Sequence, residues 1–136
     1  MSVMEEFKIW HDASKADIKH VIRLLEDNLS DEPEALIADL ESIEGWNSRC
    51  GLLLAMAESW LDRAKWDLMP SREEDLTVFE KESKLDSLVA PIRLVRDTLQ
   101  SLLDSIKQRL ILGESVLSFQ KQFSEFKSRD LNLKVG

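Results

Sequence analysis

Apolar positions recur along this chain at steps of three and four, the period of a helix with one buried face. Asp12 or Ser14 is placed to cap a first substantial helix, in which Ile18, Val21, Ile22, Leu25 and Leu29 follow helical spacing before an end near Asn28 to Ser30. Pro33 then sits where a first-turn proline belongs, behind Ser30 or Asp31 as cap and ahead of Glu34. This predicts a short acidic helix to about Glu44, with Gly45 marking its end. From there Trp46, Cys50, Leu53, Ala57, Trp60 and Ala64 step by 4, 3, 4, 3, 4, the seam of a helix that packs lengthwise against another. Pro70 closes that helix near Leu68.

The polar string PSREEDLT reads as a loop with a fresh helix start, Ser71 and Glu74 having the spacing of a capping box. Beyond it Leu85, Leu88, Ile92, Val95, Leu99, Leu102 and Ile106 repeat at three and four, and Leu110, Gly113, Val116, Phe119, Phe123 and Phe126 continue with a shifted phase. The pattern predicts a long helix of about 40 residues with a phase slip near Leu110. Pro91 lacks the N–H that would bond back one turn, which predicts either a kink there or a short helix from Leu76 to Leu88 joined to a longer one. Lys127 to Gly136 reads as frayed.

These elements make an all-α chain: an antiparallel long helical hairpin over residues 46–128, with two or three N-terminal helices from residues 1–45 packed on it and a frayed tail at 129–136. One hairpin covers its apolar stripes only in part. The surplus is expected to face both the N-terminal helices and another subunit, making a homo-oligomer.

Composition supports this picture and narrows the chemistry. At 136 residues the chain fits one domain, and few glycines (4) and prolines (3) with no tyrosine favour helix over sheet. The apolar run from Gly51 to Ala57 is too short to cross a bilayer, and Met1 to Trp10 carries two glutamates where a signal peptide needs a basic end, so no membrane is expected and a cytoplasmic location is. Cys50, the single cysteine, cannot form an internal disulfide or build a zinc site, and reads as a buried thiol. His11 and His20 are nine residues apart and point to opposite sides of a helix, which excludes a metal pair. The acidic pairs Glu73 with Glu74 and Glu80 with Asp86 have no histidine or apolar pocket nearby to shift a pKa. No phosphate-cradling glycine loop or nucleophile elbow is present. Neither an enzyme nor a cofactor is expected.

Charge is segregated within a formal net charge of -8. Residues 31–47 hold six acidic side chains and no basic one, whereas 92–136 hold eight basic and five acidic, so an acidic protein still offers a local positive path. In the stretch WLDRAKWDLMPS, Trp60 falls on the seam but Trp66, six residues on, points well away from it. Packing against an N-terminal helix or a neighbouring subunit is one reading of that tryptophan. Stacking of an unpaired base, with Arg63 and Lys65 reaching phosphates, is the other. Asp62 and Asp67 flank these cations and are placed to pair with them. Arg93 and Arg96 share a face, with Lys107 and Arg109 three turns on, either as a solvated flank or as a strip that follows a phosphate backbone. Phe119, Phe123 and Phe126, at 4 and 3, fit an oligomer or core seam better than a ligand box.

The order of RAKWDLMPS, a polar loop, FEKESK, LLDSIKQR and the tail FQKQF resembles the T-even phage recombination mediator family, UvsY-like proteins, over roughly the second half of the chain. In that family a basic–small–basic motif followed by an apolar residue and Asp closes the first helix of a pair; Arg63, Ala64, Lys65, Trp66 and Asp67 stand there. A later motif, LDxIKxR, is met from Leu103 to Arg109. The resemblance implies a non-catalytic ring of subunits that binds single-stranded DNA and helps load a recombinase onto DNA occupied by a single-strand-binding protein. The acidic stretch from Asp31 to Glu44 would then meet a basic protein partner. The competing expectation, from net charge and the acidic patch, is an all-helical protein–protein interaction module, an adaptor or phage-encoded inhibitor, with no DNA binding.

Overall fold

The structure, a computed structural model, describes residues 1–70 and 75–135, with side chains to 129. Ser71 to Glu74, including the expected capping box and acidic pair, lie outside the described residues. The described residues form three helices, α1 (Val3–Glu26), α2 (Pro33–Asp67) and α3 (Val78–Val135), and no strand.

The first helix begins earlier than its apolar spacing implied. Ser2 is the cap: its hydroxyl accepts from the Glu5 N–H, and the Glu5 carboxylate accepts from the Ser2 N–H. This reciprocal arrangement satisfies two otherwise orphaned donors. Ser14, expected as a start, is instead buried inside the helix, donating its hydroxyl proton to the Trp10 carbonyl at 2.9 Å.

Gly45 does not end a helix. An interior glycine costs about 1 kcal/mol relative to alanine, but the apolar register runs through it unbroken. Leu36, Leu40, Ile43, Cys50, Leu54, Ala57, Leu61 and Ala64 are all buried and all fall on one heptad seam, with Asn47 completing it. The acidic helix and the first hairpin helix are therefore one element. Trp46 and Trp60, assigned to the seam from spacing alone, lie beside it and meet α1: Trp46 packs on His20 with ring centroids 4.3 Å apart, and Trp60 meets Phe7 edge-on at 6.3 Å.

The third helix is also continuous. Its buried positions Val89, Ile92, Leu99, Leu103, Ile106 and Gly113 keep steps of three and four on either side of Leu110, so no phase slip occurs. Pro91 lies inside the helix on an exposed face, where the Ser87 carbonyl it leaves unbonded can turn to water, and the helix runs through it. The Thr77 hydroxyl accepts from the Glu80 N–H at 3.1 Å and caps the start. Helix extends to Val135 rather than fraying from Lys127.

Helices α2 and α3 form the antiparallel hairpin. The Cys50 thiol reaches the Leu99 carbonyl at 3.6 Å, and Leu40 fills the space in which a side chain at Gly113 would stand. Helix α1 runs antiparallel to α2, with Asp17 on Arg49 at 2.8 Å and Phe7 by Trp60. At 1.5 Å per residue α1 is about 36 Å long and α3 about 87 Å, so α1 covers only the half of the hairpin nearer the α2–α3 connection. Past Glu26 the chain descends along α3: Arg109 donates to the Leu25 and Asp27 carbonyls, and Gln120 donates to the Asp31 carbonyl at 2.7 Å. No helix among the described residues is long and apolar enough to cross a membrane.

Candidate nucleic-acid interface

Seven residues carried the sequence-based expectation, and the fold divides them. Arg63 sits over the Trp60 ring, 5.2 Å from its centroid, and donates to Glu6 across the α1–α2 seam, with Asp67 a turn further at 3.9 Å. Arg93 pairs with Asp86 at 3.0 Å and Arg96 with Asp97 at 2.8 Å. These pairs are solvent-accessible, and each contributes about 0–1 kcal/mol. A phosphate can replace the carboxylate at modest cost. Arg109 is committed differently: its guanidinium closes the end of α1, where the last carbonyls carry partial negative charge. Sequence spacing gave no sign of that role because its partners lie 82 and 84 residues away.

Lys65, Trp66 and Lys107 remain. Lys65 is half-buried and Lys107 exposed, and neither has an ion-pair partner among the described residues. Trp66 is 78% exposed, so neither α1 nor α3 covers it within one chain. Phe79, at the start of α3, is 76% exposed, and Met69 and Val78 are exposed between them. The connection end of the hairpin therefore presents two aromatic faces with Lys65 in the helical turn beside the first. Phe79 was quoted in the sequence only as part of a motif; its exposure comes from its place in the first turn of α3, before the seam begins at Leu85. Lys107 lies away from this end, about four turns beyond Arg93, so the basic residues do not form one continuous patch on a single chain.

Burial pushes the Cys50 thiol up and makes it a poor nucleophile. Burial against the neighbouring rings pulls His11 below its ordinary value of 6.5, Lys15 adding to the effect and Asp12 opposing it. Among the described residues no three His, Cys, Asp or Glu side chains gather as a metal site. No family model, curated protein or solved structure matches the chain. The likeness to the recombination mediators rests on the strings quoted from the sequence.

Proposed function

We propose that this chain is a non-enzymatic, recombination mediator-like accessory protein that binds single-stranded DNA through the connection end of its hairpin. The carrying observation is Trp66, exposed beside Lys65, which has no ion-pair partner among the described residues, with Phe79 exposed across the connection. A base stacked on such a ring contributes about 1 to 3 kcal/mol whatever its identity, and lysine neutralises phosphate as a mobile point charge. One chain offers few such contacts. Repetition of the end around a homo-oligomeric ring multiplies them by avidity; Lys107 then adds charge directly, and Arg63, Arg93 and Arg96 add theirs as their carboxylate partners give way to phosphate. The acidic stretch from Asp31 to Glu44 is left for a basic face of a recombinase or single-strand-binding protein.

Anisotropy of labelled oligo-dT at low salt tests the reading. Binding should weaken steeply as salt rises and fall at least about tenfold for Lys65→Ala with Trp66→Ala, given the stacking and phosphate terms lost. Flat anisotropy at every salt concentration refutes it. A second reading, a helical adaptor or inhibitor that binds protein alone, is favoured by the arginines: Arg63, Arg93 and Arg96 already face carboxylates and Arg109 holds α1. It requires no oligonucleotide binding together with capture of a discrete protein.

A further inference from the structure

The two cations beside Trp66 are in different states. Around the axis of α2 the tryptophan lies between them, Arg63 about 60° to one side and Lys65 about 100° to the other. A strand that stacks a base on Trp66 can therefore carry a phosphate past each flank. Lys65 has no ion-pair partner among the described residues. Arg63 donates to the carboxylate of Glu6, which comes from a different helix.

That contact is fixed from both sides. Val3 and Phe7 are buried in the first turns of α1, and Phe7 meets Trp60 edge-on at 6.3 Å, which sets where Glu6 stands. The same Trp60 ring carries the Arg63 guanidinium, 5.2 Å from its centroid. One tryptophan thus positions both partners, Glu6 through its neighbour Phe7 and Arg63 directly. The pairs of Arg93 and Arg96 differ, because Asp86 and Asp97 stand on α3 itself. The Arg63 pair also stays within reach of a ligand, with 52% of the arginine side chain and 34% of the glutamate side chain exposed.

We propose that Glu6 is an intramolecular stand-in for phosphate, by which α1 holds the second cation of the hairpin end back from a bound strand. This rests on the reading of that end as a single-stranded DNA site, and it assigns the residue that limits the site's affinity. A phosphate that takes Arg63 must displace Glu6 and leave two negative groups side by side, with Asp67 3.9 Å from the guanidinium as a further competitor. Arg63 therefore adds only part of its charge to the native site. It makes a full phosphate contact once Glu6 is neutral.

Glu6→Gln keeps the size of the side chain and removes its charge. Glu114→Gln, far down α3, removes the same formal charge away from the site and serves as the control. In oligo-dT anisotropy, Glu6→Gln should bind about fivefold tighter than the wild type, with helicity by circular dichroism unchanged. The slope of log affinity against log salt should steepen by about 0.7, the share of one phosphate on a single strand. Glu114→Gln should do neither. Arg63→Ala should cancel the gain in the Glu6→Gln chain and cost the wild type less. If the wild type binds through Lys65 and Trp66 but Glu6→Gln binds no tighter than Glu114→Gln, the role of Glu6 is refuted and the DNA site stands. Equal losses on Arg63→Ala in the two backgrounds refute it too. Absence of binding by both the wild type and Glu6→Gln removes the DNA site and the role of Glu6 together.

Discussion

Two side chains show how single residues set the stability of this fold. His11 lies along Phe7, with ring centroids 5.7 Å apart, and borders a groove lined by Ile18, Leu94 and Val95. Its pKa is lowered in the folded protein, chiefly by burial, so folding favours the neutral ring. The stability this contributes is complete above 6.5 and is lost as pH falls through the lower, folded-state value. Thermal midpoints should therefore drop as pH goes from 7.5 towards 5, and His11→Gln should flatten that part of the profile; an unchanged slope in the variant would show that the titration lies elsewhere. Asn47 is the other case. It occupies a seam position in α2, and its side-chain oxygen is buried with no partner among the described residues. An unsatisfied buried acceptor costs about 1 to 3 kcal/mol, so Asn47→Leu should raise the guanidinium midpoint, while loosening the choice of register that a polar seam residue enforces. A lower midpoint would mean that the leucine does not fit.

At the scale of the helices, the sequence disclosed their presence and faces better than their ends. Three-and-four spacing identified α2 and α3 as partners, and Cys50, Ala57, Ala64, Ile92, Leu99 and Ile106 are buried as that spacing requires. The register was harder to read, because each helix packs on two neighbours and so carries two adjoining apolar stripes. Trp46, Leu53 and Trp60 keep heptad spacing with Cys50 as well as Leu54 and Leu61 do, and only the position of α1 separates them. Gly45 and Pro91 misled for a related reason: local helix-breaking costs of a few kcal/mol are outweighed when the seam on both sides is buried. The end of α1, expected near Asn28 to Ser30, comes at Glu26, and what local spacing could not show is that Arg109, over 80 residues on, closes it. Arg109→Ala should remove charge-assisted hydrogen bonds to two carbonyls and destabilise the fold by about 1.5 to 3 kcal/mol, measured by chemical denaturation. A loss below about 0.5 kcal/mol would mean that water serves those carbonyls equally well. For the same reason any effect of Arg109→Ala on DNA binding has to be separated from partial unfolding, whereas Lys65 and Trp66 can be changed with little effect on packing.

The whole molecule divides into a three-helix half near the hairpin connection and a two-helix half beyond the end of α1, and the two are built from the same continuous rods. Trp10, Trp46, Trp60 and Trp66 all belong to the first half, so tryptophan fluorescence reports on it alone, while far-ultraviolet circular dichroism reports on both. The distal half rests on a narrow core in which Leu36 is fully buried and Leu40 fills the notch at Gly113. Leu36→Ala removes a buried side chain there at a cost of about 2 to 5 kcal/mol. If stability is distributed as the packing indicates, the loss falls on the distal half first: the dichroism transition should move to lower temperature and precede the fluorescence transition, which should shift less. Coincident transitions displaced by the same amount would instead show that the long helices couple the halves into one cooperative unit.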